Sequence, residues 1–189
     1  KLTHYFDFPH PQRIKLAKKL NDVSGIKEKT NVIFGVTGSD AIELAIRAAR
    51  YFTGKPYILT AFGDYHGVTY GTAGLTTKGG LHQYFHPVLP NNDTGYFPFP
   101  HSYRKPTDKF PGYNLNSLKI FQQMLEGKET PYTDGLYNVN NVAAILVEPF
   151  QSSAGYYVPP KEYLQILREI ANRHGMLLIV DEIQNGLGR

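Results

Sequence analysis

The 189-residue sequence contains no cysteine, which excludes a disulfide-stapled scaffold and any redox or metal site built on thiolates. That absence does not fix the compartment. No apolar run approaches the roughly 18 residues of a membrane span, and the opening "KLTHYFDFPH" lacks the pattern of a signal peptide, so a cytoplasmic protein without membrane association is expected. No internal repeat and no linker interrupt the chain, which argues for a single domain. Basic stripes with interleaved aromatics are missing too. The net charge is only +4, and the densest basic run, "KLAKK" at 15–19, falls on an expected amphipathic helix, so no nucleic-acid partner is expected. Against these absences, 41% apolar and 19% charged residues are enough for an ordinary globular core.

The pattern of apolar residues orders the chain. "PHPQRIKLAKKLND" (9–22) places Ile14, Ala17 and either Leu16 or Leu20 at helical spacing. A β-like run, Val32 to Phe34, leads through the loop Gly35 to Gly38 into a helix at about 39–52, closed by Gly54. "PYILTAFGDYHG" (56–67) reads as a strand and turn. Residues 68–113 read mostly as loop, with a short strand near Pro87 to Pro90. A helix at 115–127 precedes "VAAILVEPF" (142–150), a strand buried on both faces. Another helix, 160–175, enters at Pro160 and stops at Gly175, with Leu164, Leu167 and Ile170 or Ala171 turned inward. "LLIV" (177–180) then reads as a second strand buried on both faces. Alternating strands and helices predict an α/β fold: a doubly wound, mainly parallel sheet with flanking helices.

In such sheets ligands bind at the carboxyl ends of the strands. Two strands here end in acids: Glu148, and the pair Asp181 and Glu182. A buried carboxylate needs a cation or a proton. Neither strand carries Lys or Arg, which leaves a ligand cation, a metal, or Arg189 as partner, or a plain structural salt bridge. Paired acids at strand ends also suit a carboxylate-dependent hydrolase. Gly38 and Ser39 open a helix whose unpaired N–H groups favour an anion such as phosphate, although Ser, Asp and Gly there also suit a simple cap. "GVTGSDA" matches neither the dinucleotide fingerprint nor a P-loop. In "DYHG" (64–67), Tyr65 can stack on a flat ligand or pack as an ordinary loop aromatic, with His66 beside it. His82, His86 and His101 lie in Gly-rich loop with no helix to align them, so no metal is expected.

Taken in order, "VTGSDAIELAIRAAR", "DYHGVTYG", "AAILVEPFQSSAG" and "LLIVDEIQNGLGR" resemble the class III aminotransferases, pyridoxal-phosphate enzymes of fold type I. With "FPHSYR" at 99–104 they are similar to the branch holding 4-aminobutyrate aminotransferases and isoleucine 2-epimerase. The resemblance implies pyridoxal 5'-phosphate as cofactor. Gly38 and Ser39 would hold its phosphate, Tyr65 would stack on the ring with His66 beside it, and Ile183 would pack on the other face. Asp181 would face the pyridine nitrogen, Gln184 the phenolic oxygen, and Glu148 would support the network. Unit charges about 4 Å apart are worth roughly 4 kcal/mol at an effective dielectric near 20, enough to hold the ring nitrogen protonated.

The resemblance further implies a small-molecule amino donor and a 2-oxo acid acceptor as partners, and a homodimer. A racemase or epimerase would use the same site. Two departures stand out. Ser153 replaces a Glu that several members pair with a switching Arg, which lowers the expectation of a glutamate-type dual-substrate cycle. The cofactor-binding lysine, which follows the final motif in this family, has no counterpart within 1–189. Residues 1–189 are therefore read as part of a large cofactor-binding domain, with an N-terminal segment, the remaining sheet strands and a small C-terminal domain expected outside this sequence.

Overall fold

The computed structural model describes residues 10–26, 28, 30–78, 93–101, 115–126 and 138–188. The chain divides into two compact units, Lys1–Gly35 and Val36–Arg189. In the first, helix α1 (Pro11–Val23) starts at His10, whose ring accepts the N–H of Gln12, and none of its residues is buried. The amphipathic stripe expected there stays open, with Ile14 56% exposed. Val32 to Phe34 forms no strand, contrary to expectation, because a β-like run becomes a strand only by pairing and none pairs with it among the described residues. The Phe34 ring instead lies under the Arg13 guanidinium, 5.3 Å from its centroid.

The second unit is a three-layer α/β arrangement. Helix α2 (Gly38–Thr53) begins in a capping box, where Thr37 and Asp40 satisfy each other's backbone N–H, and ends at Gly54 in the left-handed conformation. Four strands follow: β1 (Tyr57–Ala61), β2 (Thr94–Phe97), β3 (Val142–Val147) and β4 (Leu177–Val180). They form a sheet of order β2-β1-β3-β4, and every pairing is parallel. Helices α3 (Leu115–Glu126) and α4 (Tyr163–His174) complete the unit. No helix among the described residues is long and apolar enough to cross a membrane.

Alternation along the strands sorts the core into two faces. Ile58, Ala144 and Leu146 pack with Ile42, Ile46 and Ala49 of α2, while Leu59, Ala61, Ile145 and Val147 pack with Leu118, Phe121, Leu167 and Ile170 of α3 and α4. Helices thus cover both faces, as the doubly wound reading requires. β3 is fully buried along its length and stops at Val147, since Pro149 has no N–H for a ladder. β4 differs from expectation: all four residues are half-buried, because β4 is an edge of the described sheet. The strand observed within 68–113 is Thr94–Phe97; Pro87 to Pro90 lie outside the described residues. Helix α4 starts at Tyr163, not Pro160, because Pro160 to Glu162 form a turn in which Tyr163 N–H donates to Pro160 O at 3.0 Å.

Candidate active site

The chain leaves β1 toward β2 on one side and then crosses to β3 and β4 on the other, so the connections diverge between β1 and β3. At such a switch point no crossover covers the carboxyl edge, and a crevice opens there. Residues 62–67 follow β1 into it, Glu148 follows β3, and Asp181 follows β4. Asp181 N–H still donates to Val147 O at 2.8 Å, which extends the β3–β4 ladder by one residue and fixes this acid by sheet geometry.

The Asp181 carboxylate has two internal partners. Oδ2 accepts His66 Nδ1–H at 2.8 Å and Oδ1 accepts Ile183 N–H at 3.1 Å. The other ring nitrogen of His66 lies 3.1 Å from Thr60 Oγ1 and 3.5 Å from Asp64 Oδ2. Burial opposes charge on His66, but hydrogen bonds to Asp181 and Asp64 and the charges of both acids outweigh it and raise the pKa to about 9. Among the described residues the side chain at ion-pair distance from Asp181 is His66, a partner the strand sequences did not reveal; Arg189 lies outside the described residues.

Glu148 organises the opposite side. Its Oε1 accepts Tyr65 N–H at 2.8 Å, while its Oε2 accepts Ser152 N–H at 3.1 Å and Ser152 Oγ–H at 3.0 Å. Burial pushes its carboxyl above the usual range, and the charge of Asp64 acts in the same sense against those donors. Asp64 is anchored through Oδ1 by Gln151 Nε2 at 2.8 Å, an amide that also bonds Phe62 O at 2.7 Å. Tyr65 is thereby held by its backbone, which leaves its ring half-buried beside the crevice.

One cavity of about 230 Å³ gathers all eight residues expected from the sequence: Gly38, Ser39, Tyr65, His66, Glu148, Asp181, Ile183 and Gln184. Thr37 and Gly67 join them. The capping box takes the N–H of Asp40, and by helix geometry the N–H groups of Gly38 and Ser39 find no acceptor inside the helix. Two glycines make this wall possible. Gly67 has φ +113°, and a Cβ there would stand 2.2 Å from Ser39 Oγ; a Cβ on Gly38 would stand 2.9 Å from Ile183 Cδ1. Thr37 was legible as the first residue of a Thr-x-x-Asp cap, whereas no local signal marks the packing of Gly67 on Ser39. The volume lies below the roughly 300–1,000 Å³ of pockets for drug-sized ligands, which suits a single-ring molecule better than a dinucleotide.

A larger cavity of about 300 Å³, between Phe62, Phe99, His101 and Tyr157, is lined by no carboxylate and lacks a helix mouth. His101 packs there against the Tyr157 ring, with centroids 4.0 Å apart. His82 and His86 lie outside the described residues, and no group of three or more potential metal ligands occurs among those described.

A helix N-terminus, an aromatic side chain and the two acids Glu148 and Asp181 thus surround one small cavity at the carboxyl edge of an α/β sheet. The family description "Aminotransferase class-III" matches residues 1–189, and the chain belongs to that family. It is 33% identical over 194 residues to an isoleucine 2-epimerase of Lentilactobacillus buchneri, covering 100% of this chain and 41% of that protein. A 4-aminobutyrate aminotransferase of Mycobacterium bovis is 30% identical over 192 residues, with 99% and 40% covered. Among solved structures, an amine transaminase from an uncultivated Pseudomonas species, in its pyridoxal-phosphate-bound form, superposes with a TM-score of 0.82 at 29% identity, covering 100% of this chain and 42% of that one. The chain thus spans about two fifths of the length of these relatives. The comparison also establishes the sheet and helices as part of the fold of pyridoxal-phosphate-dependent transaminases.

Proposed function

We propose that the cavity binds pyridoxal 5'-phosphate and that the whole protein transfers an amino group between an amino acid or amine and a 2-oxo acid. The observation that carries this reading is the shared cavity: Asp181 and the mouth of α2 line it together, with Tyr65 beside them. The donor set fits the cofactor. The free N–H groups of Gly38 and Ser39, at the positive end of the helix dipole, suit a phosphate ester. The Asp181 carboxylate suits a protonated ring nitrogen, Tyr65 and Ile183 suit the two faces of a flat ring, and Gln184 offers an amide to the phenolic oxygen.

When bound, the cofactor supplies an electron sink for a substrate carbanion. The residues of this chain bind and orient. Glu148, through Tyr65 N–H, fixes the backbone that carries the stacking ring. His66 keeps one Asp181 oxygen occupied by a hydrogen bond. No lysine lines the cavity among the described residues. A cytoplasmic homodimer is part of the same proposal, resting on the family resemblance.

Racemisation is the second reading, favoured by the epimerase relative at 33% identity. The two are separated by incubating the whole protein with pyridoxal phosphate, a chiral amino acid and a 2-oxo acid. Transamination predicts turnover that requires the 2-oxo acid. Inversion of the amino acid without it would make racemisation the activity. A protein that gains no absorbance near the visible edge on adding pyridoxal phosphate would refute both and return the hydrolase reading. Asp181→Asn should weaken cofactor binding by about 2 to 3 kcal/mol, the worth of a hydrogen bond to a charged group; an unchanged dissociation constant would remove Asp181 from the site.

A further inference from the structure

His66 can share its ring protons in two ways. In one, Nδ1–H donates to Asp181 while a bare Nε2 accepts the hydroxyl proton of Thr60, and the ring is neutral. In the other, both nitrogens carry protons and Nε2–H faces Thr60 Oγ1 at 3.1 Å and Asp64 Oδ2 at 3.5 Å. Asp64 decides between them. It is fully buried, and among the described residues His66 is the one cation within ion-pair distance of it. Oδ1 is taken by Gln151, but among the described residues Oδ2 otherwise meets only the N–H of Glu148, at a long 3.4 Å. A buried carboxylate so placed requires a positive charge or a proton of its own.

We propose that Asp64 is a positioning residue of the site: it faces His66 from the ring nitrogen opposite the one that meets Asp181, keeps the imidazole doubly protonated, and so sets a charged donor against the Asp181 carboxylate that lines the cavity. Asp64 does not itself line the cavity, but it contacts His66 and Glu148, which do. Among the described residues, the other groups facing this trio do not supply the charge. Thr60 on β1 is neutral, and Thr76 Oγ1 accepts the backbone N–H of His66. Glu148, after β3, adds negative charge when ionised. From α4, the buried hydroxyl of Tyr163 is pushed well above its usual pKa by burial and by Asp64 and Glu148, so it stays neutral. Two acids with one imidazolium leave a single negative charge in the trio, which meets the cationic ring of the proposed cofactor. The inference rests on the cofactor reading for that consequence, but not for the protonation of His66.

The test is nitrogen-15 NMR of the histidine rings in the whole protein, free of cofactor, from pH 6 to 9.5, with His66→Gln assigning the signal. Both ring nitrogens of His66 should carry protons up to about pH 9. In Asp64→Asn the transition should fall by about 1 to 3 pH units, the usual effect of an opposite charge at this range. Thr60→Val should leave the ring doubly protonated. A single protonated nitrogen at pH 7 in the wild type, or an unmoved transition in a folded Asp64→Asn protein, overturns the proposal. If Asp64→Asn does not fold, the wild-type and Thr60→Val spectra decide alone. A pyridoxal phosphate titration separates the two readings: absence of binding with an intact imidazolium condemns the cofactor, and binding to a protein with neutral His66 condemns the role of Asp64.

Discussion

The raised pKa of His66 makes the stability of the protein depend on pH in a window where few other groups titrate. In an unfolded chain the ring titrates near 6.5, and in the fold near 9. A folded value above the unfolded one means that the contribution is fully present below pH 6.5 and lost as pH rises through about 9. At about 1.4 kcal/mol per pH unit, the gap between the two values amounts to roughly 3 kcal/mol, already net of the cost of burying the ring. Total stabilities of roughly 5–15 kcal/mol make this a large share. Urea denaturation at pH 6, 7.5, 9 and 9.5 should show the wild type losing most of this increment relative to His66→Gln, which has no imidazole to titrate. Stopping at pH 9.5 keeps tyrosine and lysine largely out of the comparison. A wild-type minus variant difference that stays flat from pH 6 to 9.5 would mean that the ring is neutral in the fold and that the reading of its two acid partners is wrong.

Two substitutions probe the wall and the core separately. Gly67→Ala puts a Cβ 2.2 Å from Ser39 Oγ on a backbone with φ +113°, so it should cost about 1–3 kcal/mol and displace the helix mouth; thermal melting and a pyridoxal phosphate titration should both worsen, and an unchanged pair would show that the loop does not abut α2. Leu146→Ala opens the fully buried centre of β3 on the α2 face and should cost about 2–5 kcal/mol in denaturant, with cofactor affinity retained in the folded fraction because Leu146 does not line the cavity. A loss below about 1 kcal/mol would place this residue outside a close-packed core.

What the sequence made legible, and what it hid, divides along the range of the interactions involved. β3 could be read directly because burial on both faces removes the polar alternation from "VAAILV", and α2 because caps at both ends and apolar residues at helical spacing agree. "TGYF" carries no such mark: it is a strand because Ile58 to Ala61 pair with it, a fact external to those four residues. The reverse holds for Val32 to Phe34, whose apolar content promised a strand that finds no partner among the described residues. In the site, acids at strand ends were visible because parallel sheets expose those ends. The cation opposite Asp181 was not, because His66 reaches it from a different strand end, and local spacing shows only that Asp64 and His66 lie two residues apart.

That spacing suggests why the arrangement is stiff. Asp181 takes its position from the β3–β4 ladder through Val147 O, and Asp64 takes its own from Gln151, whose amide is tied to the backbone at Phe62. His66 is therefore clamped between two carboxylates that are fixed from opposite sides of the switch point, and moving either would break a buried charged contact. Such contacts cost about 3–5 kcal/mol when one partner is removed. A cavity walled in this way presents its acid in one place before any ligand arrives, which is the condition under which fixed charges stabilise a bound cation without reorganising.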